Sequence, residues 1–464
     1  MKGYGFSIAL VLVLLLDGCS KAPQLDQGWT SPIKVADSKD SLVGDVILQK
    51  WHSTIIMFLG LDPAIARDVS ARCFLMDSSS DNSNSWTEVQ LTGVPQGYIW
   101  AYPAIDQAGD KVFFEQGYTE NDQVVMNVLV GHMAGRIAVR DVVERRWITD
   151  KKTIFGETGP NMRLNDPGKR DRLPGLGHGV INGSDMYIPY CLHGSVYRGN
   201  TTEDGPSISG VFHSADSGMT WQMERVSDSD DWLPSVCITK DYYYYFAVSL
   251  PTKPGQGWKL FFARKPMDGN SWDAPKVVTK TFCNSALNWK YVAEPQDDTV
   301  HLCWLDRRHE KERISFDWGP RLRENYEIAY CRRKDSDADW SKDVILSEGM
   351  LYSYSPTMSV EGDKIVVVWA GVRTAPDWHT EMDPNDIYYV ASKDGGKTWT
   401  KPIEVTDGAK DEITAGRPQV ALQNGVIHLF YIQGKLNLKQ ESPGLTKLNQ
   451  PPWPIYYQQR PFPI

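Results

Sequence analysis

Apolar residues in this chain come in short runs, with polar turn-formers between them. Ile365-Val-Val-Val-Trp369, Tyr187-Ile-Pro-Tyr-Cys191-Leu192 and Val300-His-Leu-Cys303-Trp304 are examples, and Gly, Asp, Asn and Pro separate such runs. No long stretch repeats its apolar positions at helical spacing, so the pattern predicts strands and an all-β chain. The runs also resemble one another. Leu233-Pro234-Ser235-Val236, Ser355-Pro356-Thr357-Met358 and Arg417-Pro418-Gln419-Val420 begin alike, as does Tyr102-Pro103-Ala104-Ile105. A second kind of run follows a tryptophan: Trp86-Thr-Glu-Val-Gln-Leu91, Trp221-Gln-Met-Glu-Arg-Val226, Trp272-Asp-Ala-Pro-Lys-Val-Val278 and Trp399-Thr-Lys-Pro-Ile-Glu-Val405.

Together these runs define a unit: strand, turn, strand, variable loop, strand, tight turn, Trp strand. Four-stranded units at a spacing of roughly 50–75 residues predict a β-propeller. Units end at Trp86, Trp147, Trp221, Trp272, Trp340 and Trp399, and a further unit starts near Arg417 without a Trp strand of its own. Gly28-Trp29-Thr-Ser-Pro-Ile-Lys-Val35 matches the Trp399 segment. The expectation is therefore seven blades, with six as the alternative. Residues 28–36 would complete the last blade beside 416–440 and remove the open sheet edge. The single propeller domain would span 28–445, and 446–464 would be a C-terminal extension.

The N-terminus reads differently. Met1-Lys2, the apolar run Ile8 to Leu16 and then Leu16-Asp17-Gly18-Cys19 resemble a bacterial lipoprotein signal, too short to span a membrane. Residues 1–19 would be the signal with the lipidated Cys19, and 20–27 a tether. The chain is then an exported lipoprotein of the periplasm or cell surface, touching the membrane through the lipid anchor only. The formal charge of −9 argues against nucleic acid as a partner. Cys73, Cys191, Cys237, Cys283, Cys303 and Cys331 remain after Cys19, mostly inside apolar runs, which predicts buried free thiols.

In four-stranded units the long connections share one face. Gly156 to Gly177, Cys191 to Ser207, Leu305 to Asn325 and Ala370 to Asn385 all fall there, and function belongs on that face. The segments carry many arginines, among them Arg198, Arg308, Arg373 and Arg417, and a guanidinium fork suits a carboxylate. An acidic glycan is the expected partner. His178 opens the first strand of its unit and His193 closes the second, with Tyr190 nearby, and such a set equips a site for proton abstraction beside a carboxylate. No cofactor is expected, although the loop histidines leave room for a metal.

One motif carries a family resemblance. Ser392-Lys-Asp394-Gly-Gly396-Lys-Thr398-Trp399 and Ser214-Ala-Asp216-Ser-Gly218-Met-Thr220-Trp221 share S-x-D-x-G-x-T-W. This resembles the Asp-box, or BNR repeat, of sialidases and related propellers. The resemblance covers the chain after residue 27 at the level of fold. It implies a glycoside hydrolase with an Arg triad, for which Arg308, Arg373 and Arg417 are candidates. It also implies a Tyr nucleophile, Tyr352 or Tyr354, paired with Glu115 or Glu294, and an Asp acid, for which Asp306 is the candidate. No R-I-P motif occurs; Arg136-Ile137-Ala138 is the nearest segment. Three functions stay open: a sialidase-like hydrolase releasing an acidic sugar, a polysaccharide lyase on uronate glycans using His, Tyr and Arg, and a non-catalytic glycan-binding lipoprotein.

Overall fold

The computed structural model describes residues 28–36, 43–51, 54–61, 72–77, 86–89, 104–106, 109–120, 123–133, 139–150, 175–192, 196–198, 201–203, 208–228, 231–249, 258–282, 291–309, 326–373, 386–408, 413–435 and 454–463. Every named element among them is a β-strand, and every paired strand runs antiparallel to its neighbour. The first sheet holds Val43–Trp51, Thr54–Leu61, Arg72–Asp77 and Thr87–Val89 in chain order. The second holds Ala104–Ile105, Lys111–Glu120, Gln123–Met133 and Val139–Asp150. The third holds Asp185–Leu192, Ile208–Ser214 and Gln222–Ser227, with Gly175–Leu176 and Val180–Asn182 both on its inner side.

Two groups of four strands share the next sheet. Asp231–Ile238, Tyr242–Ser249, Trp258–Pro266 and Lys276–Phe282 form one. Tyr291–Gln296, Thr299–Asp306, Glu327–Lys334 and Val344–Ile345 form the other. Only the pair Phe282↔Asp306 joins them. Tyr352–Glu361, Lys364–Val372, Asp386–Ser392 and Ile403–Glu404 follow. The last sheet takes Ile413–Gln423, Val426–Lys435, Ile455–Pro461 and, outermost, the N-terminal Ile33–Ala36.

The continuous apolar runs have a simple cause. Thr299–Asp306 and Asp386–Ser392 are buried at every position, which requires cover on both faces of the sheet. Successive sheets supply that cover. Ile181, Met186 and Phe212 of the third sheet pack with Ala104 and Val130 of the second. Tyr187 and Val211 pack with Tyr243 and Phe261 of the next group. Leu305 and Tyr330 pack with Met358 and Val367, and Val368 and Tyr389 with Leu422 and Leu429. A further cluster joins the first sheet to the last through Ile55, Met57, Phe74, Phe430 and Tyr457.

The two clear S-x-D-x-G-x-T-W copies are built alike. Asp216 accepts from Thr220 N at 2.8 Å and Thr220 Oγ1 at 2.6 Å, and Ser214 Oγ accepts from Gly218 N at 2.7 Å. Asp394 accepts from Thr398 N at 2.9 Å and Oγ1 at 2.6 Å, and Ser392 Oγ accepts from Gly396 N at 2.9 Å. These bonds hold both carboxyls below the usual carboxylate range. Gly396 sits at φ 81°, and a Cβ there would stand 2.1 Å from the Tyr330 hydroxyl, so both backbone and space require glycine.

The tryptophan that follows each turn wedges against the preceding sheet. Trp86, Trp221, Trp272, Trp340 and Trp399 each pack into the cluster shared with the sheet or group before their own. Trp29 does the same, edge-on to Tyr389 at 5.7 Å. In the second sheet Trp147 lies inside the strand Val139–Asp150, paired with Met126.

The end of the chain also departs from expectation. Ile455–Pro461 is not an extension. It lies between Val426–Lys435 and Ile33–Ala36, with Ile33 opposite Tyr457 and Thr30 N donating to Gln459 O at 2.9 Å. The N-terminal strand is therefore outermost in the last sheet, as expected, but its neighbour is this segment rather than 416–440. Pro451, Pro452, Pro454, Pro461 and Pro463 give the segment the look of a tail. Four of them lie outside the strand and Pro461 is its last residue, so the ladder is intact. Cys191, Cys237, Cys303 and Cys331 are buried free thiols. If the N-terminal strand is integral, Trp29→Ala should lower unfolding stability about as much as Trp399→Ala, by about 3 kcal/mol in chemical denaturation. A neutral Trp29→Ala would mean that this strand contributes nothing.

Candidate functional site

The first strands of three units share an unusual start. Leu233, Ser355 and Arg417 have φ of 53°, 51° and 49°, and each precedes a proline. The register slips at the same places, between Trp232 and Ser235, between Tyr354 and Thr357, and between Gly416 and Gln419. Proline cannot donate to a ladder and bars the preceding residue from the right-handed helical region. Here that residue goes left-handed and the strand bulges, re-aiming the side chains at that point. Non-glycine residues held there cost on the order of 1–3 kcal/mol each, and such strain gathers at binding and catalytic sites.

The surroundings hold these bulges in place. The Tyr291 hydroxyl reaches the Leu233 carbonyl at 2.6 Å, the Ser235 hydroxyl at 2.9 Å and the Phe246 carbonyl at 3.1 Å. Burial pushes the Tyr291 hydroxyl far above its usual pKa, so it stays a donor. All three bulges lie near the start of their strands, at the end where the connections 250–257, 374–385 and 436–454 emerge.

The first strands of successive units adjoin one another. Tyr352–Glu361 lies against Tyr291–Gln296 on one side and Ile413–Gln423 on the other. Asp231–Ile238 lies against Tyr291–Gln296 and Val180–Asn182, and Ile413–Gln423 against Val43–Trp51. This brings Tyr354 beside Gly416. The Tyr354 hydroxyl stands 3.7 Å from where a Cβ on Gly416 would be, one residue before the exposed Arg417. His178 belongs to the same series of adjoining strands. It is exposed, bridges Ser235, and its carbonyl accepts from Val236 N at 3.0 Å. Three steps between adjoining strands separate it from Tyr354.

The other predicted residues are placed elsewhere. Tyr190 is fully buried in the core between the second and third sheets, its hydroxyl without a hydrogen-bond partner. Its strand is covered on both faces, so it has no substrate-facing side. Asp306 is also fully buried, accepting from Arg308 Nε at 2.8 Å and Nη2 at 2.7 Å, Trp304 Nε1 at 2.9 Å and Thr281 Oγ1 at 2.7 Å. Arg308 pairs with Asp343 as well. Burial raises the Asp306 carboxyl, but hydrogen bonds from Arg308, Thr281 and Trp304 outweigh it and hold the group below the usual range, so Asp306 is a poor acid and Arg308 is already engaged. Arg373 donates to Pro402 O at 3.0 Å and lies 5.5 Å over the Tyr388 ring, away from the first strands. His193 and Cys19 lie outside the described residues, as do the side chains of Glu115, Arg198 and Tyr352.

Apart from Glu294, expected as a partner for the Tyr nucleophile, the following titratable groups were not singled out as site candidates by sequence reasoning. Asp386 and Glu404 are buried together beside Arg373 and Tyr388. Burial raises both, Asp386 to about 7. Asp386 accepts from Thr406 Oγ1 at 2.8 Å and Gly408 N at 2.5 Å, which ties the pair to the connection leading to Arg417. Glu294, on a first strand, is pushed up to about 7 by burial, which Lys50 opposes. Lys50 Nζ donates to Val360 O at 3.0 Å. Val360 is six residues beyond Tyr354, about 20 Å along an extended strand, so Glu294 belongs to the opposite end from Tyr354. His213 bridges Asp185 at 3.0 Å and Glu224 at 2.8 Å, and Lys265 of the next group also bonds Glu224 at 2.9 Å, which makes this cluster a clip between sheets. His301 and His428 are buried against Tyr330 and Tyr457 at 2.7 and 2.8 Å, and burial lowers both to about 4, leaving them neutral.

No family model matches the chain, and no curated protein sequence matches it. Among solved structures it is similar to the Trypanosoma rangeli sialidase in complex with sialic acid, at 8% identity and a TM-score of 0.41. That alignment covers 94% of this chain and 59% of the sialidase chain, so the chain spans about three fifths of that protein. It is also similar to the polysaccharide lyase Uly1, at 8% identity and a TM-score of 0.46 over 90% of each chain. The α-L-arabinofuranosidase Arb93A of Fusarium graminearum is similar at 14% identity and a TM-score of 0.38, over 60% of this chain and 80% of that one.

Tyr291→Phe should lower unfolding stability by about 1–3 kcal/mol, because it leaves two buried carbonyls and the Ser235 hydroxyl short of a partner. A change under about 0.5 kcal/mol in denaturant titration would show that the Leu233 bulge is held by other contacts.

Proposed function

We propose that the chain is a carbohydrate-active enzyme, a sialidase-like hydrolase of acidic glycans. Its four-stranded units form a ring of seven blades. The first strands line the channel, and the N-terminal strand completes the last blade. Support comes from the order of adjoining first strands and from the apolar cluster between first and last sheets. The site is the mouth of the channel, at the strained starts of those strands. Cys19 anchors the exported protein to a membrane through lipid.

One observation carries the reading: the Tyr354 hydroxyl lies beside Gly416, one residue before Arg417, on adjacent first strands at two of the bulges. Arg417 pairs with the sugar carboxylate, bidentate and charge-assisted. The Tyr354 hydroxyl acts at the anomeric carbon. Arg308 and Arg373, engaged within the protein, take no part. A second reading rests on His178. Exposed on the same ring of strands, it could take the C5 proton of a uronate, which would make the protein a lyase.

The test is digestion of a panel of sialylated and uronate-rich polysaccharides, following reducing ends and ultraviolet absorbance together. Hydrolysis gives reducing ends without absorbance, and Tyr354→Phe should lower kcat/KM by about two to four orders of magnitude, with Arg417→Ala raising KM. Absorbance lost on His178→Ala would favour the lyase instead. Binding without any product would leave a glycan-binding protein.

A further inference from the structure

The fourth and fifth groups of strands pack face to face, but among the described residues their strands pair only at Phe282↔Asp306. Away from that pair the outer strand Lys276–Phe282 parts from its neighbour, and the gap is a groove of about 420 Å³. Val277, Thr279, Lys280, Arg308, Trp340 and Asp343 line it. The volume lies in the range of small-molecule sites. The groove is built from outer strands and turns, so it is separate from the mouth of the first strands.

Its chemistry differs from that of the mouth. Val277, 46% exposed, and the half-buried Trp340 make one apolar wall. Val344, 40% exposed, follows the lining residue Asp343 in the chain. These two valines are among the few exposed large apolar side chains of the described residues. The polar side is balanced. On the lining Arg308 and Lys280 carry two positive charges and Asp343 one negative charge, and the buried Asp306 behind it pairs with Arg308 and supplies the second. Arg308 bonds its carboxylates through Nε and Nη2, so the Nη1 edge of the fork remains to donate. Asp343 and Thr279 offer acceptors. An apolar wall facing a net-neutral set of donors and acceptors suits a ligand with one face of C–H bonds and a rim of hydroxyls. An acidic sugar would meet Asp343 here without net positive charge to offset it.

We propose that this groove is a second binding site, taking a neutral sugar residue of a glycan chain. It holds the polymer at the outer flank of the protein, away from the mouth. Binding here uses hydroxyl hydrogen bonds and apolar contact, so it is insensitive to salt, in contrast with the pairing of Arg417 to a carboxylate.

The test is calorimetric titration of the full chain with maltotetraose, cellotetraose, xylotetraose and chitotetraose, at low and at high salt. At least one should bind at one site with an affinity that changes less than about twofold with salt. Val277→Arg projects a charged side chain into the groove from an exposed position and should weaken that binding at least tenfold. Lys280→Trp, also at an exposed position, fills the same groove and should do the same if Val277→Arg disturbs folding. Neither variant touches Tyr354 or Arg417, so binding of an acidic oligosaccharide at the mouth should be unchanged. Failure of all four neutral sugars to bind overturns the proposal, as does binding that survives both folded variants. Capture of an acidic sugar by the groove, lost in Val277→Arg, also overturns it, and none of these results bears on hydrolysis at the mouth.

Discussion

A tryptophan between each sheet and the one before it is the contact on which the rest of the structure depends. Trp86, Trp221, Trp272, Trp340, Trp399 and Trp29 each pack into the cluster that their own sheet or group shares with a neighbouring one. Each sheet is apolar on both faces and cannot stand alone in water. The tight turn sets the direction of its tryptophan. Asp216 and Asp394 fix the turn through the threonine that follows, and Gly396 lets it approach the Tyr330 hydroxyl of the neighbouring unit. The motif thus couples a local turn to the packing between units. The N-terminal strand takes part through Trp29, paired to the C-terminal strand, so the two ends of the chain share one sheet.

This architecture explains which features were legible in the sequence. Turn and tryptophan recur as strings, so the units could be read from Ser214–Trp221 and Ser392–Trp399 outward. Ile455–Pro461 lacks that string and lies among prolines, so its strand was hidden. The repeated Leu-Pro, Ser-Pro and Arg-Pro starts were visible as strings too, but the left-handed residue before each proline was not. That conformation arises from contacts of distant residues, such as Tyr291 with Leu233.

The candidate site was less legible for a related reason. In sheets covered on both faces, sequence position does not reveal whether a polar residue serves the core or a ligand. Tyr190 and Asp306 lie at strand positions that looked as promising as Tyr354, yet both are sealed inside. Arg308 looked like a sugar ligand and is paired with two carboxylates. What separates Tyr354 and Arg417 from these is the bulge, which interrupts the packing pattern at one end of the first strands. Strain of this kind would persist only where the fold over-determines it, and its recurrence in three units points to that end of the molecule as the working end.

The most direct measurement is amide hydrogen exchange of the full chain with and without an acidic oligosaccharide, using sialyllactose and a glucuronate-containing tetrasaccharide as probes. If Tyr354 and Arg417 mark the site, at least one probe slows exchange in 352–357 and 413–419, and high salt reverses the effect. Unchanged exchange in both segments while a probe is bound, with protection confined to other parts of the chain, would contradict the account.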